Sequence, residues 1–180
     1  MSSGLSEVEA RIAAWVPGTT LDLSHLDLTA VPTNLPIGVE VLDLSYNLLV
    51  DLPDELPAGL KRLFLCRNLL RSVPSTLPSS LTHLILDFNA LEELPTLPDS
   101  IETLDAQGNR ISVLPSHLPA SLHWLNLDSN ELNALPEILP LELNYLYVGN
   151  NNLDSLPVMP PNLAFLDILG NPLSTGGVAH

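Results

Sequence analysis

Leucines return along this chain in a short alternating burst followed by a longer polar gap, and that rhythm predicts its elements. From Leu42 to Pro57 the residues read LDLSYNLLVDLPDELP. Related stretches follow at Leu63–Pro78, Leu84–Pro98, Leu104–Pro119, Leu125–Pro140 and Leu146–Pro160. A degenerate copy, Leu21–Pro36, comes first, and a truncated one begins at Leu166. The common unit is L-x-x-L-x-L-x-x-N-x-L-x-x-L-P-x-x-L-P-x-x. Its Asn falls at Asn47, Asn68, Asn89, Asn109, Asn130, Asn151 and Asn171, in steps of 21, 21, 20, 21, 21 and 20 residues. Self-similarity at such a period predicts a solenoid of stacked units.

Each part of the unit has a physical reason. The L-x-L pair alternates, so it reads as a short strand with both leucines pointing inward. One such strand cannot bury its own face, so copies stack in parallel. The Asn sits where the chain turns off the strand, and its amide suits backbone groups of its own and neighbouring turns that burial would leave unpaired. Leu26 holds this place in the first copy, so the Asn ladder is expected to start one repeat in. Prolines recur four apart (Pro32/Pro36, Pro53/Pro57, Pro74/Pro78, Pro115/Pro119, Pro136/Pro140) or three apart (Pro95/Pro98, Pro157/Pro160). Two prolines so close do not fit inside an α-helix, so the convex return path is extended or polyproline-like.

These features resemble the bacterial leucine-rich repeats of the YopM and IpaH-type effectors, whose unit also carries L-P-x-x-L-P in 20–21 residues. The match covers roughly Thr19 to Leu173. The fold class expected is a right-handed leucine-rich-repeat solenoid, parallel β with an extended convex side, of about eight short repeats. The resemblance implies recognition of a partner protein, with two variants. One is the substrate-recognition region of a bacterial ubiquitin-ligase effector whose catalytic domain lies elsewhere. The other is a stand-alone YopM-like scaffold without chemistry.

Outside the repeats, Ser6 to Trp15 reads as a helix. Ser6 and Glu9 form an S-x-x-E capping box, Val8, Ile12 and Trp15 share a helical face, and Pro17-Gly18 ends it. The organisation read from the sequence is therefore a capping helix in 1–18, repeats in 19–173 and a tail in 174–180. The helix is expected to cover the open edge of the first strand, with Trp15 packed into the first repeat. The tail is short and polar, so the last strand is expected to be uncapped. Either the natural chain continues into a further domain, or that edge pairs with a partner or a second copy, or it frays.

Position within the repeat says where binding would occur. The third and fifth residues of L-x-x-L-x-L should line the concave sheet. They include Arg62, Phe64, His83, Ile85, Asp105, Trp124, Asn126, Tyr145, Tyr147, Phe165 and Asp167. Of eight aromatic residues, Trp15 lies in the cap and the other seven, including Tyr46 and Phe88, fall at outward positions. Exposed rings at this density mark interfaces, although cross-strand pairing alone would also place them there. Trp124, Tyr145 and Phe165 are expected to form a stripe, with Tyr147 beside Tyr145. Four of the six basic residues, Lys61, Arg62, Arg67 and Arg71, share one repeat. With Phe64 and His83 they make a positive island that either receives an acidic or phosphorylated segment or neutralises nearby acids such as Asp43 and Asp87.

Composition narrows the partners. A net charge of −15 disfavours nucleic acid and anionic membranes. No apolar run approaches a membrane span, and no Sec-type signal peptide opens the chain. The resemblance implies a non-Sec route into a host cytoplasm; otherwise the location expected is the bacterial cytoplasm. The single cysteine, Cys66, excludes an intramolecular disulfide and fits a reducing compartment. No catalytic constellation, cofactor or metal is expected. Asp87 beside Cys66 would raise the thiol pKa, and the diagonal Asp87, Asp105 and Asp128 offer oxygen ligands of the kind calcium takes but are loosely spaced for one ion and read as solvated surface acids.

Overall fold

The computed structural model describes residues 6–174 as a stack of similar coils. Helix α1 (Glu7–Ala14) leads into eight three-residue strands. These are β1 (Thr20–Asp22), β2 (Val41–Asp43), β3 (Arg62–Phe64), β4 (His83–Ile85), β5 (Thr103–Asp105), β6 (Trp124–Asn126), β7 (Tyr145–Tyr147) and β8 (Phe165–Asp167). They form one parallel sheet in chain order. Leu21, Leu42, Leu63, Leu84, Leu104, Leu125, Leu146 and Leu166 are register partners from one end to the other. The repeat period thus fixes strand register directly, because equal coils bring equal positions together.

The leucines of each coil converge on one continuous core. Leu42, Leu44, Leu49, Leu63, Leu65, Leu70, Leu84, Leu86 and Leu91 are all fully buried. Burying each such side chain contributes about 1.5–3 kcal/mol. Between strands the return path contains no helix among the described residues. The second proline of each pair opens a turn. From the second pair on, its carbonyl accepts from the N–H three residues later: Pro57 from Leu60 (3.0 Å), Pro78 from Leu81 (3.0 Å), Pro98 from Ile101 (3.1 Å), Pro119 from Leu122 (3.1 Å), Pro140 from Leu143 (3.1 Å) and Pro160 from Leu163 (3.2 Å). A proline can hold this place because the turn needs its carbonyl and not the N–H it lacks.

The two ends differ. Ser6 caps α1 and forms the reciprocal capping box with Glu9. Val8, Ile12 and Trp15 lie against the first coil, and the indole N–H of Trp15 donates to the Thr19 carbonyl at 3.0 Å. Under this cover Leu21 and Leu23 are fully buried. At the other end Leu166 and Ile168 remain half-buried, and β8 pairs only with β7 among the described residues. Residues 175–180, most of the tail expected at 174–180, lie outside the described residues, as do residues 1–5. No described helix is long and apolar enough to cross a membrane.

Candidate protein-binding face

The concave sheet can carry binding residues because two sets of side chains hold the coils from behind and below. The first set is the asparagines. Asn130 accepts from the Ile111 N–H (3.0 Å) and donates to the carbonyls of Ala106 (2.9 Å) and Leu127 (3.0 Å). Each ladder Asn makes the corresponding three bonds, joining its own coil to the one before: Asn68, Asn89, Asn109, Asn151 and Asn171 follow the same scheme. Asn47, at the start, accepts from both Leu26 and Leu28, so the first coil is satisfied although it has no Asn of its own.

The second set narrows the face that the sequence predicts. Wherever the last strand residue is Asp or Asn, its Oδ1 accepts from the N–H two residues on, in an Asx turn that ends the strand. The pairs are Asp22–Ser24 (2.9 Å), Asp43–Ser45 (2.9 Å), Asp105–Gln107 (3.0 Å), Asn126–Asp128 (3.0 Å) and Asp167–Leu169 (3.0 Å). Asn126 is buried, and its amide also donates to Gln107 Oε1 at 3.1 Å. A buried amide whose oxygen and nitrogen are both engaged offers a partner little, so Asn126 leaves the accessible face. Asp105 is not a solvated surface acid either: it is partly covered, and burial, aided by the charge of Asp87, pushes its carboxyl up to about 6 against the opposing Gln107 and Asn126 hydrogen bonds. The signal for this second set, an Asp or Asn two residues before a polar Ser, Gln or Asp in four of the eight copies, was present in the chain.

Three rings meet over β6, β7 and β8. Tyr147 lies 5.5 Å from Trp124 and 4.9 Å from Phe165, centroid to centroid, tilted by 49° and 33°. Register places Tyr145, not Tyr147, opposite both Trp124 and Phe165. The stripe expected through Tyr145 is therefore replaced by a cluster centred on Tyr147. Tyr145 stands apart from these ring pairs and is 44% exposed, as is Phe165. The rings have no leucine slots to enter, and the cluster stays on the sheet surface.

The basic residues lie at the other end of the face. Lys61 pairs with Glu40 at 2.9 Å. Arg62, Arg67 and Arg71 are exposed and form no direct ion pair among the described residues, with Asp43, Asp87 or any other acid. Next to Arg62 in register is His83, whose pKa is lowered by burial and by the Arg62 charge, so it stands neutral near pH 7. Phe64 and Ile85 are register partners and half-covered. Cys66 donates its thiol proton to Asp87 Oδ2 at 3.0 Å. Burial first, and Asp87 second, push that thiol up to about 12, away from thiolate chemistry. No group of His, Cys, Asp and Glu among the described residues is arranged to hold a metal ion.

No family model and no curated protein matches the chain. Solved structures do. YopM from Yersinia enterocolitica WA-314 superposes with a TM-score of 0.77 at 42% identity, over 82% of this chain and 32% of that one. The leucine-rich effector YopM from Yersinia pestis gives 0.72 at 40% identity, over 77% and 39%. A Shigella effector LRR domain gives 0.74 at 36% identity, over 87% of this chain and 70% of that domain. The chain spans about a third of the YopM chains it matches but most of the Shigella domain. Repeat length, proline-built return path and these likenesses agree, and the chain belongs to the bacterial leucine-rich-repeat effector family.

Proposed function

We propose that the chain binds a host protein on its concave sheet, as the substrate-recognition region of a ubiquitin-ligase-type effector. The observation that carries the binding reading is the Trp124–Tyr147–Phe165 cluster, an aromatic patch kept out of a core that has only leucine-sized places. Rings of this kind supply the central anchors of protein interfaces. The Shigella likeness extends over most of an effector LRR domain, and the ligase setting rests on the resemblance of the repeat unit to the IpaH-type effectors. In this reading the protein reaches the host cytoplasm by a non-Sec route, and chemistry, where there is any, belongs to another part of the natural polypeptide.

The second reading, a scaffold without chemistry, is favoured by the higher identity to YopM. Two measurements test the pair. A Trp124→Ala/Tyr147→Ala variant should fail to capture from host lysate the protein that the unchanged chain captures; equal recovery by both would remove the concave cluster as the binding site. The captured protein should then gain ubiquitin when the full natural polypeptide, E1 and E2 are added. Binding with no conjugation supports the scaffold.

A further inference from the structure

The residue before the ladder Asn has a left-handed backbone in every coil. Its φ is 57° at His25, 56° at Tyr46, 53° at Arg67, 55° at Phe88, 65° at Gly108, 56° at Ser129, 49° at Asn150 and 72° at Gly170. Glycine and asparagine suit this conformation, whereas bulky side chains cost roughly 1–2 kcal/mol there. Four bulky side chains nonetheless occupy it in succession, and they stack. His25 and Tyr46 are nearly parallel, 4.3 Å between centroids and 13° between planes. The Arg67 guanidinium carbon lies 5.9 Å from the Tyr46 centroid and 4.4 Å from that of Phe88. The run ends at Gly108, whose missing Cβ would stand 2.7 Å from the Phe88 ring.

This sandwich fixes the Arg67 fork and leaves its edges open. Among the described residues the Arg67 side chain donates no hydrogen bond and makes no ion pair, although the molecule carries 21 acidic side chains. Arg62 and Arg71 of the same repeat are equally unpaired. We propose that Arg67, clamped between Tyr46 and Phe88 just beyond the strand ends, is a docking point for a carboxylate on an acidic segment of a protein partner. A planar guanidinium held by its faces presents paired N–H groups in one plane, the geometry that a carboxylate accepts bidentately. Charge selects the same occupant. The acidic body repels acids at long range, and Arg62, Arg67 and Arg71 are a local exception at contact distance. A monoanion suits the place better than a phosphoryl dianion, because Asp87 of the next coil, hydrogen-bonded to Cys66, adds negative charge nearby.

The proposal deepens the concave-face reading and rests on it, yet its residues lie in the coils of β2 to β4, separate from the ring cluster. The test is fluorescence anisotropy at low salt with a labelled Glu-rich peptide, its Gln counterpart and its phosphoserine counterpart. The unchanged chain should prefer the Glu peptide. Arg67→Gln should weaken that binding about tenfold or more, as loss of a charged hydrogen-bonded pair does. Arg67→Lys should lose part of it, keeping charge without the fork. Arg110→Gln, which removes another unpaired arginine, should change nothing, and Trp124→Ala should lose the host partner but keep the peptide. Unchanged binding by Arg67→Gln, equal loss in Arg110→Gln, or no preference for Glu over Gln overturns the docking point, and preference for phosphoserine overturns the carboxylate assignment. Should Trp124→Ala lose the host partner while Arg67→Gln leaves the peptide bound, the rim proposal fails and the concave reading stands.

Discussion

Tyr147 packs against Trp124 at 5.5 Å although the two are not register partners. Its ring bridges Trp124 and Phe165, so it is the residue through which the patch coheres. Tyr147→Ala should therefore weaken partner binding by about 2 kcal/mol or more, as anchors at an interface centre do. The effect on unfolding should be smaller, because the ring fills no core place. Tyr145→Ala should cost less binding than Tyr147→Ala. Isothermal titration and thermal melts on the two variants would check this ordering, and a melting loss with intact affinity would reduce the cluster to sheet stabilisation.

Asn130→Ala should destabilise the fold by about 1–3 kcal/mol, because it strands the N–H of the buried Ile111, whereas the carbonyls of Ala106 and Leu127 keep their bonds from Asn109 and Asn151. Asn171→Ala, at the half-covered last coil, should lose less, since water can reach the groups it leaves. Urea unfolding of both variants measures the difference.

Gly108→Ala should be more harmful than its backbone angle alone explains. Ser129 adopts nearly the same φ, 56° against 65°, so the conformation itself is tolerated. The added methyl meets the Phe88 ring at 2.7 Å. A double-mutant cycle with Phe88→Ala should return part of the loss, and strict additivity would show that the ring is not the obstacle.

Asp105 predicts a pH dependence of a definite sign. Its carboxyl titrates near 6 in the fold against an ordinary 3.8, so the folded chain binds more protons between those values. Stability from this group falls as pH rises from about 4 to 6 and stays lowered above. Allowing for solvent screening, the loss is on the order of 1 kcal/mol. Asp105→Asn keeps the acceptor for the Gln107 N–H, as Asn126 does one coil on. That variant should gain stability at pH 7 and not at pH 4, which denaturation at the two pH values decides.

Cys66 should alkylate more slowly than a free cysteine at pH 8, since its thiol titrates near 12. Asp87→Asn should speed the reaction without restoring the free rate, because burial is the larger cause. Timed iodoacetamide labelling followed by mass spectrometry gives both rates.

Periodicity made the skeleton readable. Leucines that recur every 20 or 21 residues must meet in register, and they do so from β1 to β8, with the asparagines following from the second coil on. The capping box at Ser6 was equally local and equally plain. Less was readable where a side chain's direction decides. Tyr145 and Tyr147 occupy the same face, and no pattern in the chain tells which ring leans toward Trp124. The Asx turns were legible in principle, since an Asp or Asn at the end of the strand followed two places later by a bonded N–H is a local motif. The left-handed column also left a mark, in Gly108, Asn150 and Gly170 standing where Tyr46, Arg67 and Phe88 stand in other coils. Seeing that mark required comparing copies at a position that varies rather than at those that recur.

The side-chain hydrogen bonds of every ladder Asn run to backbone atoms alone, as those of Asn130 do. Neighbouring coils are thus fastened without reference to what the outward residues are. A lineage built this way can exchange its Trp for an Arg, or a Tyr for a Ser, on the inner wall and find a new molecule to hold, while the chain goes on folding by the same instructions.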